Sequence, residues 1–375
     1  MRKVWILIPV LVVIAAAVGI FMVISNQNSK PKDMVTQFES AVDKGDTKKL
    51  TAMIEPDNKA ASVNKTTVNA FIAYLKKNSN SMDVIKDSLK TQVEEKDFTT
   101  TSQAVSLVET DNKWGIFKTY KFKVKTVTMK VNGQNESDKV NLTVGKEKMD
   151  LKEKEENVYG PLLPGLYKLN ASISNDLGTF IQTKNKDLWG NAQITHIIDT
   201  NNVVEEDKKV QDNITKSVET FNSDLSVYET SEFDATKLTT VTDAVKKGVN
   251  QREKFDSIKM HIQEVQSQYL GSIINYDAFD VSNFNKEWKA ELQALVNYNG
   301  SLRYKDVPES EDLSYTAIRT YKLKYDKGKK EWLIYEMDEK EADGTESDYW
   351  TDKKNMKVKN PPVMKWTNSG DKSFY

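Results

Sequence analysis

The chain has no cysteine and only two histidines, His196 and His261. The first absence excludes a disulfide framework, a thiolate metal site and a thiol nucleophile. The second leaves imidazole chemistry to isolated residues. Neither histidine belongs to an H-x-x-x-H or H-x-H pair of the kind that holds zinc. His196 alternates with isoleucines in Ile194–Ile198 and reads as structural. His261, between Met260 and Ile262, reads as a solvent-facing strand position. No G-x-S-x-G, Walker or G-x-G-x-x-G motif occurs, so the nucleophile elbow and the common nucleotide-binding loops lack their backbone signatures. No catalytic residue, metal or cofactor is expected. Asp and Glu are plentiful, but a glycosidase pair is defined by separation in space, which sequence spacing does not reveal. The cluster Glu205-Glu206-Asp207 reads as a negative complement to a helix N-terminus. An excess of charge of one sign is missing too. The 54 Lys+Arg residues face 55 Asp+Glu, a formal net charge of −1, which implies no global attraction to nucleic acid.

Against these absences stands one long hydrophobic run. From Val4 to Ile24 there is no charged side chain, and that length suits a ~30 Å hydrocarbon layer at the rise of an α-helix. Arg2 and Lys3 precede it; Lys30 and Lys32, offset by Asp33, follow. The bias favours residues 1–3 as a cytoplasmic stub and the bulk of the chain outside. A cleaved signal peptide is the rival, but its apolar region is shorter and ends in a small-x-small site. Here Ala15-Ala16-Ala17 lies mid-run and Val23-Ile24-Ser25 is a poor cleavage site. The expectation is a single-pass anchor with its N-terminus in the cytoplasm. A large extracytoplasmic chain without disulfides fits a bacterial cell envelope.

Residues 25–33 are polar, carry Pro31 and read as a linker. A small helical domain is expected over 34–95. Val35, Phe38 and Val42, then Leu50, Met53 and Ile54, fall at helical spacing, and Gly45-Asp46 breaks them, with Asp46 a candidate N-cap. Val68, Phe71, Ile72 and Leu75 predict a third helix and Met82, Ile85 and Leu89 a fourth. A β-sandwich-like domain is expected over 96–200. Tyr120, Phe122 and Val124 alternate with lysines, and the apolar phase then slips to Val127, Met129 and Val131, which predicts a bulge or bend. Asn132-Gly133 is a hairpin signal. The segment Tyr159-Gly-Pro-Leu-Leu-Pro-Gly-Leu-Tyr167 is the most distinctive of the chain, with prolines that fix φ and glycines that permit tight turns. Glu147–Glu156 reads as a solvated loop.

The third domain, 205–340, begins with a helical stripe (Val210, Ile214, Val218, Phe221) and a second one (Leu238, Val241, Val245, Val249). Strands follow. Ile258, Met260 and Ile262 alternate. Trp288, Ala290, Leu292, Ala294, Val296 and Tyr298 keep period two for too long to suit a helix face. Tyr321–Tyr325 and Trp332–Tyr335 flank a turn at Asp326–Lys330. Helices followed by a long antiparallel sheet make an α+β cone of the NTF2-like kind. Residues 341–375 read as a polar, basic tail, extended or poorly ordered. From Lys353 it carries six lysines against Asp371, +6 −1 = +5 before the terminal carboxylate.

The single span, the helical module beginning MVTQFESAVDKGDTKKL and the β-module carrying YGPLLPGLYKL together resemble the TcaA family, teicoplanin-resistance-associated membrane proteins of Gram-positive bacteria. The most specific piece is Gly160, Pro161, Pro164, Gly165 and Tyr167. The resemblance implies a multidomain α+β, surface-exposed, non-enzymatic protein tied to cell-wall homeostasis and glycopeptide response. Many relatives carry a zinc ribbon ahead of the span; no cysteine is present here, so no zinc role carries over.

Two functions follow as expectations. The first is a binding or scaffolding protein whose partners are the membrane and an anionic wall glycopolymer, peptidoglycan or envelope proteins. The second is an enzyme acting on a wall or lipid precursor in a pocket of the C-terminal cone. Tyr269, Tyr276, Trp288, Tyr298, Tyr321 and Trp332 are the candidate lining residues, since aromatic faces stack on sugar rings. The same residues are also what an ordinary aromatic core would use.

Overall fold

A computed structural model of the chain describes residues 30–110 and 118–368. The expected span Val4–Ile24 lies outside the described residues. Among those described, no helix is long and apolar enough to cross a membrane. Two compact units emerge. The first comprises residues up to Gln134, Lys139–Ile173 and Ile181–Ile198; the second comprises Asn135–Asp138, Ser174–Phe180 and everything from Asp199.

The first unit opens with four helices, α1 (Pro31–Lys44), α2 (Thr47–Met53), α3 (Lys65–Lys77) and α4 (Ser79–Glu95), with a short strand β1 (Ile54–Pro56) after α2. Gly45, at φ 69°, closes α1 in the left-handed conformation that glycine adopts without a Cβ penalty. Asp46 caps α2 by accepting from the Lys49 N–H at 2.9 Å. Asn64 and Thr67 form a reciprocal capping box on α3. Strands β2 (Val105–Thr110) and β3 (Thr119–Val124) complete a sheet of order β1-β3-β2. Their apolar residues Val105, Leu107, Tyr120, Phe122 and Val124 share one core with Phe38, Leu50, Phe71 and Leu89. This corrects the expected boundary at residue 95, because β2 and β3 pack with the helices. The phase slip after Val124 is likewise not a bulge. Phe122 and Val124 face the helical core, whereas Val127, Met129 and Val131 face a second one.

That second core lies between two four-stranded sheets. Their strands are β4 (Val127–Asn132), β5 (Lys139–Val144), β6 (Met149–Asp150), β7 (Glu153–Glu155), β8 (Val158–Leu162), β9 (Gly165–Asn175), β10 (Gly178–Leu188) and β11 (Gln193–Ile197). The sheets have orders β10-β9-β5-β6 and β11-β4-β8-β7. Asn132-Gly133 therefore makes no hairpin, since β4 and β5 belong to different sheets. Gly133 instead sits where a Cβ would meet the Ile198 carbonyl oxygen at 2.3 Å. In the Pro/Gly segment the Gly160–Pro161 bond is cis, and the Tyr167 hydroxyl donates to the Leu163 carbonyl at 2.7 Å. Gly165 passes against the backbone of α3: a Cβ there would lie 2.6 Å from the Ala70 carbonyl carbon. His196 is buried on β11, and burial, reinforced by Lys186 and Lys184, lowers its pKa.

In the second unit, α5 (Thr200–Glu205) leads into α6 (Lys208–Glu229). Asp207 caps α6 by accepting from Lys209 and Val210. Two short helices follow, α7 (Asp243–Gly248) and α8 (Arg252–Ile258). Leu238 and Val241 precede α7, so the second expected stripe is only partly helical. A 3-10 turn spans Lys259–His261, and Ile258 and Met260 are exposed. The alternation expected from Ile258 therefore begins only at Ile262. The sheet consists of β12 (Ile262–Phe284), β13 (Glu287–Tyr304), β14 (Glu311–Asp312), β15 (Tyr315–Asp326), β16 (Glu331–Glu341), β17 (Lys353–Lys357) and β18 (Met364–Thr367). Its main order is β16-β15-β13-β12-β17, and register shifts interrupt β12 at Tyr269/Gly271 and Asn275/Asp280. Such bulges bend the sheet, and α6 packs on its apolar face through Val210, Ile214, Val218 and Phe221. Within the stretch expected to be a loose tail, β17 and β18 both pair antiparallel with β12. Trp366 seats edge-on against Phe255 at 5.1 Å, and Lys365 pairs with Glu264.

Candidate functional site

The six aromatic candidates all belong to the core between α6 and the sheet. Trp288 is 1% exposed and Tyr321 fully buried. Tyr269 and Tyr298 pack against each other at 5.1 Å. Tyr276, half-buried, meets the Thr215 hydroxyl at 3.0 Å. Trp332 contacts Tyr325 at 5.4 Å and borders a surface cleft. The interior is thus filled by the residues offered as its lining.

What the aromatic pattern missed is a buried polar network beside them. Arg319 projects from β15 into the core and is 2% exposed. Its Nη1 donates to Asn222 Oδ1 at 3.0 Å and to the Tyr298 hydroxyl at 3.1 Å; Nη2 donates to Tyr315 at 2.7 Å and Nε to Glu339 at 2.6 Å. The guanidinium also lies 4.9 Å from the Tyr298 ring centre, a cation–π distance. Asn222, on α6 and wholly buried, accepts from Tyr321 at 2.7 Å as well. These two donors fix the amide orientation and leave Asn222 Nδ2 without a partner among the described residues. Burial raises the pKa of all three phenols, with Tyr315 pushed up to about 12. They stay protonated and available as donors.

Two carboxyls of α6 point at β12. Glu219 accepts from the Tyr269 hydroxyl at 2.9 Å and from Ser272; Glu229 accepts from Ser267 at 2.6 Å. Burial raises both carboxyl pKa values above the usual range, against the lowering effect of the hydroxyl donors. The sequence carried a signal for part of this. Arg319 stands in the inward phase set by Ala317, Tyr321 and Leu323, where the strand pattern calls for an apolar residue. Asn222 is in phase with Ile214 and Val218 on α6. The acids carried no comparable signal.

One solvent-facing cleft of this unit has a volume of about 430 Å³. One wall is α6, with Asn213, Lys216, Ser217 and Thr220; the other is the β15–β16 end, with Tyr325, Lys330, Glu331 and Trp332. Its remaining lining is Leu177, Val210, Thr239 and Thr240. Neither Lys216 nor Lys330 forms an ion pair among the described residues.

Comparison with known proteins agrees with this architecture. Residues 31–124 match the model of the TcaA protein second domain, and residues 214–338 match the YvbJ NTF2-like domain. The chain is thus similar to TcaA- and YvbJ-type proteins over two separate stretches. The first match takes in β2 and β3, in keeping with their shared core. A relative, the uncharacterized membrane protein YvbJ of Bacillus subtilis (strain 168), is 26% identical over 162 residues, 42% of this chain. The matched stretch spans only 25% of that relative's length. The intermembrane space region of chloroplast protein ARC6 aligns over 36% of this chain and 98% of its own, at 15% identity and a TM-score of 0.27.

Proposed function

We propose that this TcaA/YvbJ-like chain is a non-enzymatic, membrane-anchored protein of the cell envelope that binds or scaffolds envelope components. Its partners would be an anionic wall glycopolymer, peptidoglycan or wall-assembly proteins, and its absence would alter cell-wall homeostasis and glycopeptide response. Two features support the membrane part: the uncharged run Val4–Ile24 and the relative described as a membrane protein. The observation that carries the rest is the packing of the C-terminal unit. Trp288, Tyr321 and Leu292 fill the space where an enzyme of this shape would hold substrate, and Arg319, Asn222 and the tyrosines bond to one another. The raised carboxyls Glu219 and Glu229 are what an enzymatic reading would rest on. Both already accept from neighbouring hydroxyls, which favours a structural role for them.

The test uses the full chain, purified from membranes in detergent and immobilised. Retention of isolated wall glycopolymer, peptidoglycan or a wall-assembly protein is the expected result. Failure to retain any of the three, together with turnover of a wall or lipid precursor, would replace this reading with the enzymatic one.

A further inference from the structure

The cleft between α6 and the β15–β16 end combines three kinds of group. Two lysines from opposite walls, Lys216 and Lys330, are exposed and lack a carboxylate partner among the described residues, while Glu331 is the one acid of the lining. The side chains of Asn213, Ser217, Thr220 and Tyr325 make no hydrogen bond among the described residues, which leaves an amide and three hydroxyls facing solvent. Tyr325 supplies an aromatic border, with the buried Trp332 packed behind it. Unpaired cations select an anion. Unsatisfied hydroxyl and amide groups select a ligand rich in hydroxyls, and aromatic edges suit the C–H faces of a sugar or polyol. The volume, about 430 Å³, lies within the range of small-molecule sites.

The cleft is built on firm supports. Thr240 donates to the Ser217 carbonyl at 2.9 Å, which ties the 239–240 segment to α6. Thr239 is held through both its N–H and its hydroxyl by Asp224. The β15–β16 turn is closed by Asp326, which accepts from the Gly328 and Lys329 N–H groups. Lys216 and Lys330 thus project from fixed walls, and ligand binding there needs no ordering of the backbone.

We propose that this cleft binds a hydroxyl-rich anion: a sugar or polyol unit carrying one phosphate or carboxylate, held with its charge between Lys216 and Lys330. The proposal rests on the envelope-binding reading above and assigns that reading a site and a ligand class. Such a unit occurs in anionic polysaccharides, in polyol-phosphate polymers and in glycerophospholipid headgroups.

The experiment titrates the full chain in detergent with four probes and follows tryptophan fluorescence and calorimetric heat. The probes are a glycerol-phosphate oligomer, a galacturonate oligomer, a neutral maltooligosaccharide, and nanodiscs containing phosphatidylglycerol. Binding of at least one anionic probe, weakened by salt, with the neutral one inactive, is expected. Lys216→Gln with Lys330→Gln should weaken that binding by about tenfold or more, as expected for lost charge-assisted contacts. The control is Lys146→Gln with Lys168→Gln, exposed lysines beside a separate cleft of the first unit; it should change nothing. Circular dichroism checks that each variant is folded. Preference among the oligomers and nanodiscs identifies the source of the anion. Equal weakening by both lysine pairs, equal binding of the neutral oligosaccharide, or no binding of any anionic probe would overturn the proposal. If the full chain still retains wall polymer while the Lys216/Lys330 variant binds as the parent does, the site assignment fails and the envelope-binding function stands.

Discussion

Asn222 is the position where one atom changes the most. Its Oδ1 receives the Tyr321 hydroxyl and one Arg319 N–H in a fully buried setting. Asn222→Ala removes the acceptor of both donors. Tyr321 then keeps a buried O–H with no partner, and Arg319 loses one of its four side-chain acceptors. An orphaned buried donor costs about 1–3 kcal/mol, and loss of a hydrogen bond to a charged group about 1.5–3 kcal/mol. The expected destabilisation of the second unit is therefore about 3–5 kcal/mol. Tyr321→Phe removes a donor from an oxygen that still receives Arg319, so it should cost only about 1 kcal/mol. Asn222→Asp is the informative third variant. It keeps an acceptor for both donors, gives Arg319 a charged partner and replaces Nδ2, the atom that has no acceptor. Its cost should stay within about 1 kcal/mol at neutral pH. Native-state hydrogen exchange of β13 and β15 amides in the full chain reads these differences directly. An Asn222→Ala cost below about 1 kcal/mol, or an aspartate variant as damaged as the alanine one, would refute the network as described.

The raised carboxyls of Glu219 and Glu229 predict a pH dependence of the opposite sign to ordinary acid denaturation. The folded unit keeps their protons to higher pH than the unfolded chain does, so it binds more protons in that window and loses stability as pH rises. Their contribution is fully present below the ordinary value of 4.5 and is lost upward through the raised values. Glu219→Gln should flatten the fall in melting temperature on the alkaline side of 4.5, and an unchanged profile would remove Glu219 from the account. Gly165→Ala drives a methyl group into the backbone of α3; overpacking of this kind costs about 1–3 kcal/mol, and urea unfolding of the first unit measures it. Trp366→Ala strips an aromatic contact that fastens β18 beside Phe255. Because Trp366 is only half-buried, a loss of about 1–2 kcal/mol is expected, with faster proteolysis around residues 353–367 as the readout.

The sequence made the regular elements legible wherever one face is buried. The alternation from Trp288 to Tyr298 appears as β13, and the Asp326–Lys330 turn joins β15 to β16 as expected. Helix starts were readable at Asp46, a short acceptor side chain ahead of an apolar stripe. What periodicity does not encode is which core a strand joins. The slip between Val124 and Val127 looked like a kink because alternation reports a face and not the partner behind it. The tail failed for a related reason. Lys353–Lys357 carries almost no apolar signal, and its order comes from backbone pairing to β12, which is blind to side-chain type. The polar network was the hardest to see, because Glu219 and Glu229 look like any exposed helix acid until β12 brings Tyr269, Ser272 and Ser267 to them.

Strands β17 and β18 are synthesised after every other strand of their sheet. Until they arrive, β12 presents a row of unpaired amides and carbonyls, an invitation to any extended peptide nearby. The far border, β16, is shielded by a different device, the charged run Glu336, Asp338, Glu339, Lys340 and Glu341. A folding chain of this protein therefore has one self-protecting flank and one that stays open until β17 and β18 dock on β12. Agents that guard it from aggregation would need to act on that flank and within that interval.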